Sequence, residues 1–256
     1  MIEPVYTEAN HTVYHGDMCA IVPQLEMVDH CLTDLPFHEY THRGARTRSA
    51  NTGTDHDGTS GVLIDFASID DLQVRICLGL IGMQLKRWFV ASMDWRHLRD
   101  LEEIPPIGFR KWLRHGSWLK TDPAPQFTGT EPGTGWESIC IMHADRGGHK
   151  RWNGGGHPAT YIGPTEKRGQ YRTQKPEWLI GKWIVQFTDP GDLVLDPFCG
   201  GGTVAAMCKK LGRRSISIDR SRRAVDLTIA RLQATYEAPI VLPEPKRRQD
   251  VLDFAA

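Results

Sequence analysis

The sequence predicts an α/β fold with a mostly parallel β-sheet and helices on both faces. Two observations support this prediction. From Pro176 towards the C-terminus, helical and extended segments alternate, which is typical of parallel strands joined by helices. Two of the extended segments also end at an aspartate, Asp196 and Asp219, so acidic side chains stand at the carboxyl ends of neighbouring predicted strands.

The elements of the first 96 residues follow from local patterns. We predict strands at residues 12–14, 30–33 and 88–91, and helices at residues 18–25 and 66–86. The second helix is assigned from apolar residues at helical spacing: Leu72, Ile76, Leu80 and Met83. The strand at 30–33 stops before Pro36, which has no N–H group to donate to a sheet ladder.

The C-terminal part shows the clearest alternation. Trp178, Ile184 and Phe187 lie on one apolar stripe, which predicts a helix. After it, strands at residues 193–195 and 215–218 alternate with helices at residues 203–211 and 224–232. The first of these helices ends at Gly212, a residue type favoured just after helix C-termini.

The remaining segments predict less regular structure. Residues 40–61 almost lack large aliphatic side chains and contain four Gly and three Arg, which indicates a long surface loop. Residues 97–170 are rich in Gly, Pro, Trp, His and Arg, and we expect an irregular insertion there. The chain is therefore predicted to form one domain from residues 1–96 and 171–240, with an insertion at 97–170 and a loosely held tail at 241–256.

The bulk composition excludes several protein classes. Lys and Arg together number 31, as do Asp and Glu, so a surface that binds a polyanion must be local. The six cysteines form no CxxC pair, so we predict no zinc or other metal site and no disulfide framework. The N-terminus lacks a signal-like segment, and no apolar run approaches the roughly 18 residues of a membrane span. We expect a cytoplasmic protein without a membrane segment.

The strongest local signal is the segment LVLDPFCGGGT at residues 193–203. A predicted strand delivers Asp196 to its carboxyl end, and a glycine-rich turn opens the next helix. Gly200 and Gly202 let the backbone approach a ligand closely, and the free N–H groups of the helix start can bind a carboxylate. Asp219 is well placed to accept hydrogen bonds from two ribose hydroxyls. The segment predicts a site for a nucleotide-like cofactor.

Alternatives for this segment remain open when it is taken alone. It can be a tight turn without a ligand, and GGGTVA at residues 200–205 also fits the dinucleotide pattern G-x-G-x-x-A, which would suggest an NAD-dependent enzyme. The carboxylate of Asp196 argues against NAD because it would repel a pyrophosphate. The sulfonium and ammonium groups of S-adenosylmethionine suit an acidic side chain better.

Four motifs together resemble those of the DNA amino-methyltransferases. Residues 193–203 resemble the D-P-F-x-G-x-G-T cofactor motif, and residues 171–176, YRTQKP, resemble H-P-T-Q-K-P. Residues 33–37, TDLPF, resemble the catalytic T-D-P-P-Y/F/W, and Gly16-Asp17 resembles a G-D that precedes it. Their order resembles the circularly permuted beta class, whose members methylate adenine N6 or cytosine N4. The segment at 120–136 looks like one seen in phage-type members.

The resemblance implies a fold, a cofactor and a set of site residues. The fold is a Rossmann-like S-adenosylmethionine-dependent methyltransferase fold with circularly permuted motif order, and residues 97–170 become the target-recognition region. The cofactor is S-adenosyl-L-methionine. The residues expected to bind it lie in the motifs above and are Asp17, Thr173, Lys175, Asp196, Pro197, Phe198, Gly200, Gly202, Thr203 and Asp219.

The catalytic residues implied by the resemblance are Asp34, Leu35, Pro36 and Phe37. An exocyclic amine is a poor nucleophile because its lone pair is delocalised into the base ring. The Asp34 carboxylate and the Leu35 carbonyl can accept its two N–H bonds and free that lone pair. Phe37 is expected to stack on a base flipped out of the duplex.

The target base is predicted to be adenine, because the motif begins with Asp34 rather than Ser. Cytosine N4 is the alternative. Leu35 departs from the family, which usually has Pro there, so a catalytically weak DNA-binding subunit of the same fold is a further alternative; restored turnover in Leu35→Pro would identify the cause.

Double-stranded DNA is the expected partner, and a homodimer is possible for members of this class. Basic residues near aromatic ones suit phosphate contacts. The candidates lie in the loop after the catalytic motif and in residues 97–170, and they are Arg43, Arg46, Arg48, Lys111, Arg114, Lys120 and Arg151.

Overall fold

The computed structural model describes residues 2–38, 68–99, 101–123, 130, 132–146, 150–167, 174–236 and 238–239. Within these ranges nine strands form one sheet in the order β1-β2-β9-β8-β3-β4-β6-β5-β7. The strands are β1 (Tyr6–Glu8), β2 (His11–His15), β3 (His30–Asp34), β4 (Trp88–Met93), β5 (Phe109–Lys120), β6 (Trp136–Ala144), β7 (Thr160–Gly163), β8 (Leu193–Asp196) and β9 (Arg214–Asp219).

The centre of the sheet is parallel. Strands β2, β9, β8, β3 and β4 are neighbours and run in the same direction. Strand β6 runs antiparallel to β4, and β5 runs antiparallel to β6. The carboxyl ends of the five parallel strands, the end of β5 and the start of β6 therefore share one edge, which we call the carboxyl edge. Ligands of open α/β sheets bind outside such an edge.

Helices cover both faces of the sheet, as the sequence predicted. They are α1 (Met18–Ile21), α2 (Asp71–Gln84), α3 (Trp95–Leu98), α4 (Glu177–Phe187), α5 (Thr203–Lys210) and α6 (Arg222–Ala234), and a 3₁₀ turn, Val22–Gln24, follows α1. Because side chains alternate along a strand, Cys31 packs in one buried cluster with α1 and α2, whereas Leu32 packs in another with α4 and α5. Among the described residues, no helix is long and apolar enough to cross a bilayer.

Helix α2 exists where it was predicted, but its buried face is a different one. Of the residues used to assign it, Leu72, Ile76 and Met83 are 68%, 49% and 45% exposed. The residues that enter the core are Val74, Cys77, Leu78 and Ile81. The helix carries apolar side chains on two sides, so helical spacing alone could not tell which side the sheet would cover.

The prediction of an irregular segment at residues 97–170 is wrong in its secondary structure. Strands β5, β6 and β7 lie in this range and extend the main sheet. Gly116 illustrates why the pattern was missed: a Cβ there would lie 2.7 Å from the Ala159 carbonyl oxygen, so the glycine serves close backbone approach within the sheet. The strands are stabilised by partners distant in sequence, and local composition does not reveal such partners.

Candidate active site

Polar side chains from seven strands converge along the carboxyl edge. In the order of the sheet they are Asp17 after β2, Asp219 on β9, Asp196 on β8, Asp34 on β3, Ser92 on β4, Glu137 on β6 and Lys120 on β5. A cavity of about 570 Å³ opens at this edge, and the four aspartates line it together with Lys175. This volume falls within the range of small-molecule and cofactor sites.

Asp34 lies at the end of β3 and lines the cavity. Its Oδ2 atom accepts a hydrogen bond of 2.6 Å from the Lys175 ammonium. Its Oδ1 atom is buried and has no hydrogen-bond partner among the described residues. Burial raises the pKa of Asp34 above its ordinary value, although the neighbouring Lys175 acts to lower it. A buried acceptor without a donor is costly, so this atom is poised for a donor supplied by a ligand.

The residues after Asp34 are fixed by β4 and by the core. The Leu35 N–H group donates to the Ser92 carbonyl oxygen over 3.1 Å, and the Leu35 side chain is only 1% exposed. Proline could not make that hydrogen bond, so leucine extends the β3–β4 ladder by one contact. Pro36 and Phe37 line the cavity, and the Lys175 ammonium lies 5.4 Å from the centre of the Phe37 ring.

Glu137 completes a charged group that sequence reasoning missed. Its carboxylate contacts the Lys175 ammonium at 3.3 Å and the Lys120 ammonium at 2.7 Å, and it accepts a hydrogen bond of 3.0 Å from the Ser92 hydroxyl. Burial acts to raise the pKa of Glu137, but the two ammonium groups outweigh it and hold the pKa at about 2. Lys175 is only 7% exposed, and the carboxylates of Asp34 and Glu137 raise its pKa in spite of burial.

Asp196 lies at the end of β8 and is 3% exposed. Its Oδ1 atom accepts hydrogen bonds from the Thr33 hydroxyl at 2.7 Å and from the Phe198 N–H group at 3.3 Å. Burial is the main cause that raises the pKa of Asp196 to about 7. Thr33, which precedes Asp34, therefore links β3 to β8.

Asp219 and Asp17 form the far side of the cavity. Asp219 accepts hydrogen bonds from the N–H groups of Gly200 at 2.9 Å and Ser221 at 2.8 Å, which fix its carboxylate beside the glycine-rich turn. Asp17 caps helix α1 by accepting from the Cys19 N–H group at 2.8 Å. Pro197, Phe198, Gly200 and Thr203, which the sequence assigns to cofactor binding, also line the cavity.

Two predicted cofactor residues differ from the rest. Gly202 does not line the cavity. It has φ of 72°, and a Cβ there would lie 2.8 Å from the Thr228 Cα, so the glycine is required by the turn and by packing against α6. Thr173 lies outside the described residues. Its neighbour Lys175 is joined to helix α5 through its carbonyl oxygen, which accepts from the Thr203 hydroxyl at 3.3 Å.

Those predicted DNA-binding residues that the structure describes are not gathered at the site. Arg43, Arg46 and Arg48 lie outside the described residues. Lys120 is at the carboxyl edge, but its ammonium pairs with Glu137, which argues against a role in binding phosphate.

The other candidates lie away from that edge. Lys111 is near the start of β5, at the opposite edge, and Arg114 lies opposite Ile141 in the middle of the sheet. Arg151 pairs with Asp189 at 2.9 Å, next to the start of β8. Basic residues close in sequence were thus spread along strands that run from one edge of the sheet to the other.

The chemistry of the cavity fits S-adenosylmethionine. Aspartates line it, which suits the two cationic groups of that molecule, and the fixed carboxylate of Asp219 suits its ribose hydroxyls. Within the described ranges, no three His, Cys, Asp or Glu side chains are grouped as metal ligands. The site therefore presents carboxylate oxygens that can accept hydrogen bonds and pair with cationic groups.

Comparison with known proteins decides the family. Residues 113–230 match the family N6_N4_Mtase, described as DNA methylase. The chain is also 32% identical over 266 residues to the type II methyltransferase M2.DpnII of Streptococcus pneumoniae, an alignment that covers 93% of this chain and 95% of that protein. The chain belongs to the N6/N4 DNA methylase family.

Solved structures share the fold of this DNA methylase. M1.HpyAVI in complex with S-adenosylmethionine has a TM-score of 0.65 at 20% identity, covering 87% of this chain and 98% of that one. The cytosine-N4-specific PvuII DNA methyltransferase has a TM-score of 0.66 at 14% identity, covering 98% and 93%. The Rossmann-like methyltransferase fold is thereby confirmed. Membership of the DNA methylase family agrees with S-adenosylmethionine as the cofactor and replaces the NAD-dependent alternative.

Proposed function

We propose that this DNA methylase transfers a methyl group from S-adenosylmethionine to the N6 amino group of adenine in double-stranded DNA. The observation that carries the proposal is the state of Asp34. Its carboxylate lines the cofactor cavity, one oxygen is held by Lys175, and the other is buried with no hydrogen-bond donor in the part of the chain that the structure describes.

In the proposed mechanism the chain mainly positions the base. Asp34 and the Leu35 carbonyl accept the two N–H bonds of the exocyclic amine and draw the nitrogen towards tetrahedral geometry. Phe37 stacks on the base after it has left the duplex. When bound, S-adenosylmethionine supplies a methyl group activated by its sulfonium charge. Asp34, whose pKa burial raises, accepts the proton that the nitrogen releases after it has taken up the methyl group.

The choice of adenine rests on residues 34–37, DLPF, which resemble family motifs that begin with Asp rather than Ser. Cytosine N4 is the second candidate, because the fold is shared with the cytosine-N4-specific PvuII enzyme. The catalytically weak alternative loses support from the structure around Leu35, since the hydrogen bond to Ser92 holds the catalytic turn in place without proline.

The deciding experiment identifies the methylated base. The protein is incubated with S-adenosylmethionine carrying a labelled methyl group and with unmodified duplex DNA, and the DNA is digested to nucleosides. We expect label in N6-methyl-2′-deoxyadenosine. Label only in N4-methylcytosine would overturn the choice of base, and label in neither nucleoside would refute the enzymatic proposal. Sedimentation of the same preparation tests the homodimer, and methylation of single strands alone would contradict the duplex substrate.

Asp34→Ala gives the matching test of the site. We expect methyl transfer to be lost while the affinity for S-adenosylhomocysteine stays within about twofold, because Asp34 is assigned to the base and not to the cofactor. Calorimetry measures that affinity. Loss of S-adenosylhomocysteine binding together with activity would contradict the assigned role.

A further inference from the structure

The carboxylate of Asp34, which is proposed to accept the target amino group, already accepts a hydrogen bond from a lysine. The hydrogen bond between Lys175 and Asp34 is 2.6 Å long, the Lys175 side chain is 7% exposed and the Asp34 side chain is 28% exposed. A carboxylate that is neutralised by an ammonium group accepts an additional N–H bond less strongly. The chain therefore needs a way to weaken this pair when the base arrives.

Glu137 offers Lys175 a second partner. The ammonium lies 2.6 Å from Asp34 and 3.3 Å from Glu137, so a small movement of the lysine end would exchange the short contact for the long one. Glu137 itself is held in place from other directions, by Lys120 at 2.7 Å and by the Ser92 hydroxyl at 3.0 Å.

The two carboxylates and two ammonium groups sum to zero charge. Movement of Lys175 between Asp34 and Glu137 leaves that sum unchanged, so the exchange does not bury a net charge. The position of Glu137 is set by the register of β6 against β4, where Ser138 lies opposite Met93. The second acceptor is therefore built into the sheet rather than carried by a surface loop.

We propose that Glu137 is a positioning residue for methyl transfer: it shares Lys175 with Asp34 and takes the lysine over when the target amino group reaches Asp34. The proposal rests on the proposed function, because it requires Asp34 to receive that amino group. Lys175 keeps Asp34 oriented in the absence of DNA, and Glu137 lets the lysine leave without remaining unpaired.

The proposal predicts a specific change in pH dependence. The titratable groups that interact with Asp34 are Glu137 on β6, Lys175 ahead of α4 and Asp196 on β8. Lys120 on β5 interacts with Glu137. The charge of Glu137 acts to raise the pKa of Asp34. Methyl transfer requires ionised Asp34, so removing that charge should move the low-pH fall in rate to lower pH.

The test is Glu137→Gln, which keeps the shape of the side chain and removes its charge. Single-turnover methyl transfer to duplex DNA is measured across pH, and S-adenosylhomocysteine affinity is measured by calorimetry. We expect the plateau rate to fall by about tenfold or more while cofactor affinity changes by less than about twofold, with the low-pH fall displaced to lower pH. Glu103→Gln, the same change at an exposed glutamate outside the site, is the matched control and should behave as wild type.

The outcomes separate this proposal from the proposed function. If wild type methylates no DNA base, the proposed function fails. If wild type is active and Glu137→Gln keeps its plateau rate and pH profile, the function stands and the role of Glu137 is refuted. If Glu137→Gln does not fold, Lys120→Met gives the opposite test, because Lys120 pairs with Glu137 and its removal leaves the Glu137 charge to act more strongly on Asp34. The low-pH fall should then move to higher pH; no displacement, or one to lower pH, refutes the role.

Discussion

Replacing Asp196 with asparagine should stabilise the cofactor-free protein, and more so at pH 8 than at pH 5. The carboxyl group is 3% exposed, and its pKa is raised from 3.8 to about 7, mainly by burial. An acid with a raised pKa in the folded state holds its proton more tightly there than in the unfolded chain. Its ionisation therefore lowers stability progressively as the pH rises from about 4 to 7.

The size of the effect follows from the pKa shift. Because the pKa of Asp196 rises from 3.8 to about 7, its ionisation costs about 4 kcal/mol of stability at pH 8 and somewhat under half of that at pH 5. Asparagine cannot ionise, and its amide oxygen can still accept the hydrogen bond from Thr33. The gain in unfolding free energy of Asp196→Asn over wild type should thus be about 2–3 kcal/mol larger at pH 8 than at pH 5.

The assay is denaturant unfolding of both proteins at the two pH values without cofactor. Asp226→Asn is the control, because Asp226 is 55% exposed and pairs with Arg222 on the surface of α6, so its effect should stay within about 0.5 kcal/mol at either pH. A gain of equal size at pH 5 and pH 8 would refute the assignment of a buried, raised-pKa carboxyl group at this position. The variant should also bind S-adenosylmethionine more weakly, since it lacks the negative charge that faces the cofactor cavity.

Two further substitutions test the turns that shape the site. Leu35→Pro should lower the unfolding free energy by about 3 kcal/mol or more, because it removes a buried side chain and the hydrogen bond to Ser92. Denaturant unfolding measures this loss, and a variant that is as stable as wild type and more active would contradict the prediction. Gly202→Ala should lower the thermal midpoint through strain at φ of 72° and contact with Thr228, whereas Gly156→Ala, with no atom within 4 Å of the added Cβ, should not; equal midpoints would refute the packing argument.

Three acidic residues of the site were predictable because each stands at a recognisable strand end. Asp34, Asp196 and Asp219 follow short apolar runs, and parallel strands bring such ends to one edge. A strand end of this kind can be recognised from the local sequence, without knowing which strands will lie beside it.

Glu137 was not predictable because its role depends on partners far away in the sequence. It lies 103 positions after Asp34 and 38 before Lys175, in a stretch without clear periodicity. Only the antiparallel register of β6 against β4 and β5 brings it to the carboxyl edge. The same register assigns Lys120 to Glu137 and explains why a lysine expected at a DNA surface is paired inside the site.

The hydrogen-bond register of β3 and β8 also sets the reach of the reaction. Cys31 lies opposite Leu195, so Leu32 is beside Asp196 and Asp34 stands two residues farther along, a step of about 7 Å. The distance along the sheet between Asp34 and Asp196 can therefore change only in steps of one residue. A one-residue slip would turn Asp34 to the other face of the sheet. On this sheet, substitutions can consequently change the side chains at positions 34 and 196 far more easily than the distance between the two positions.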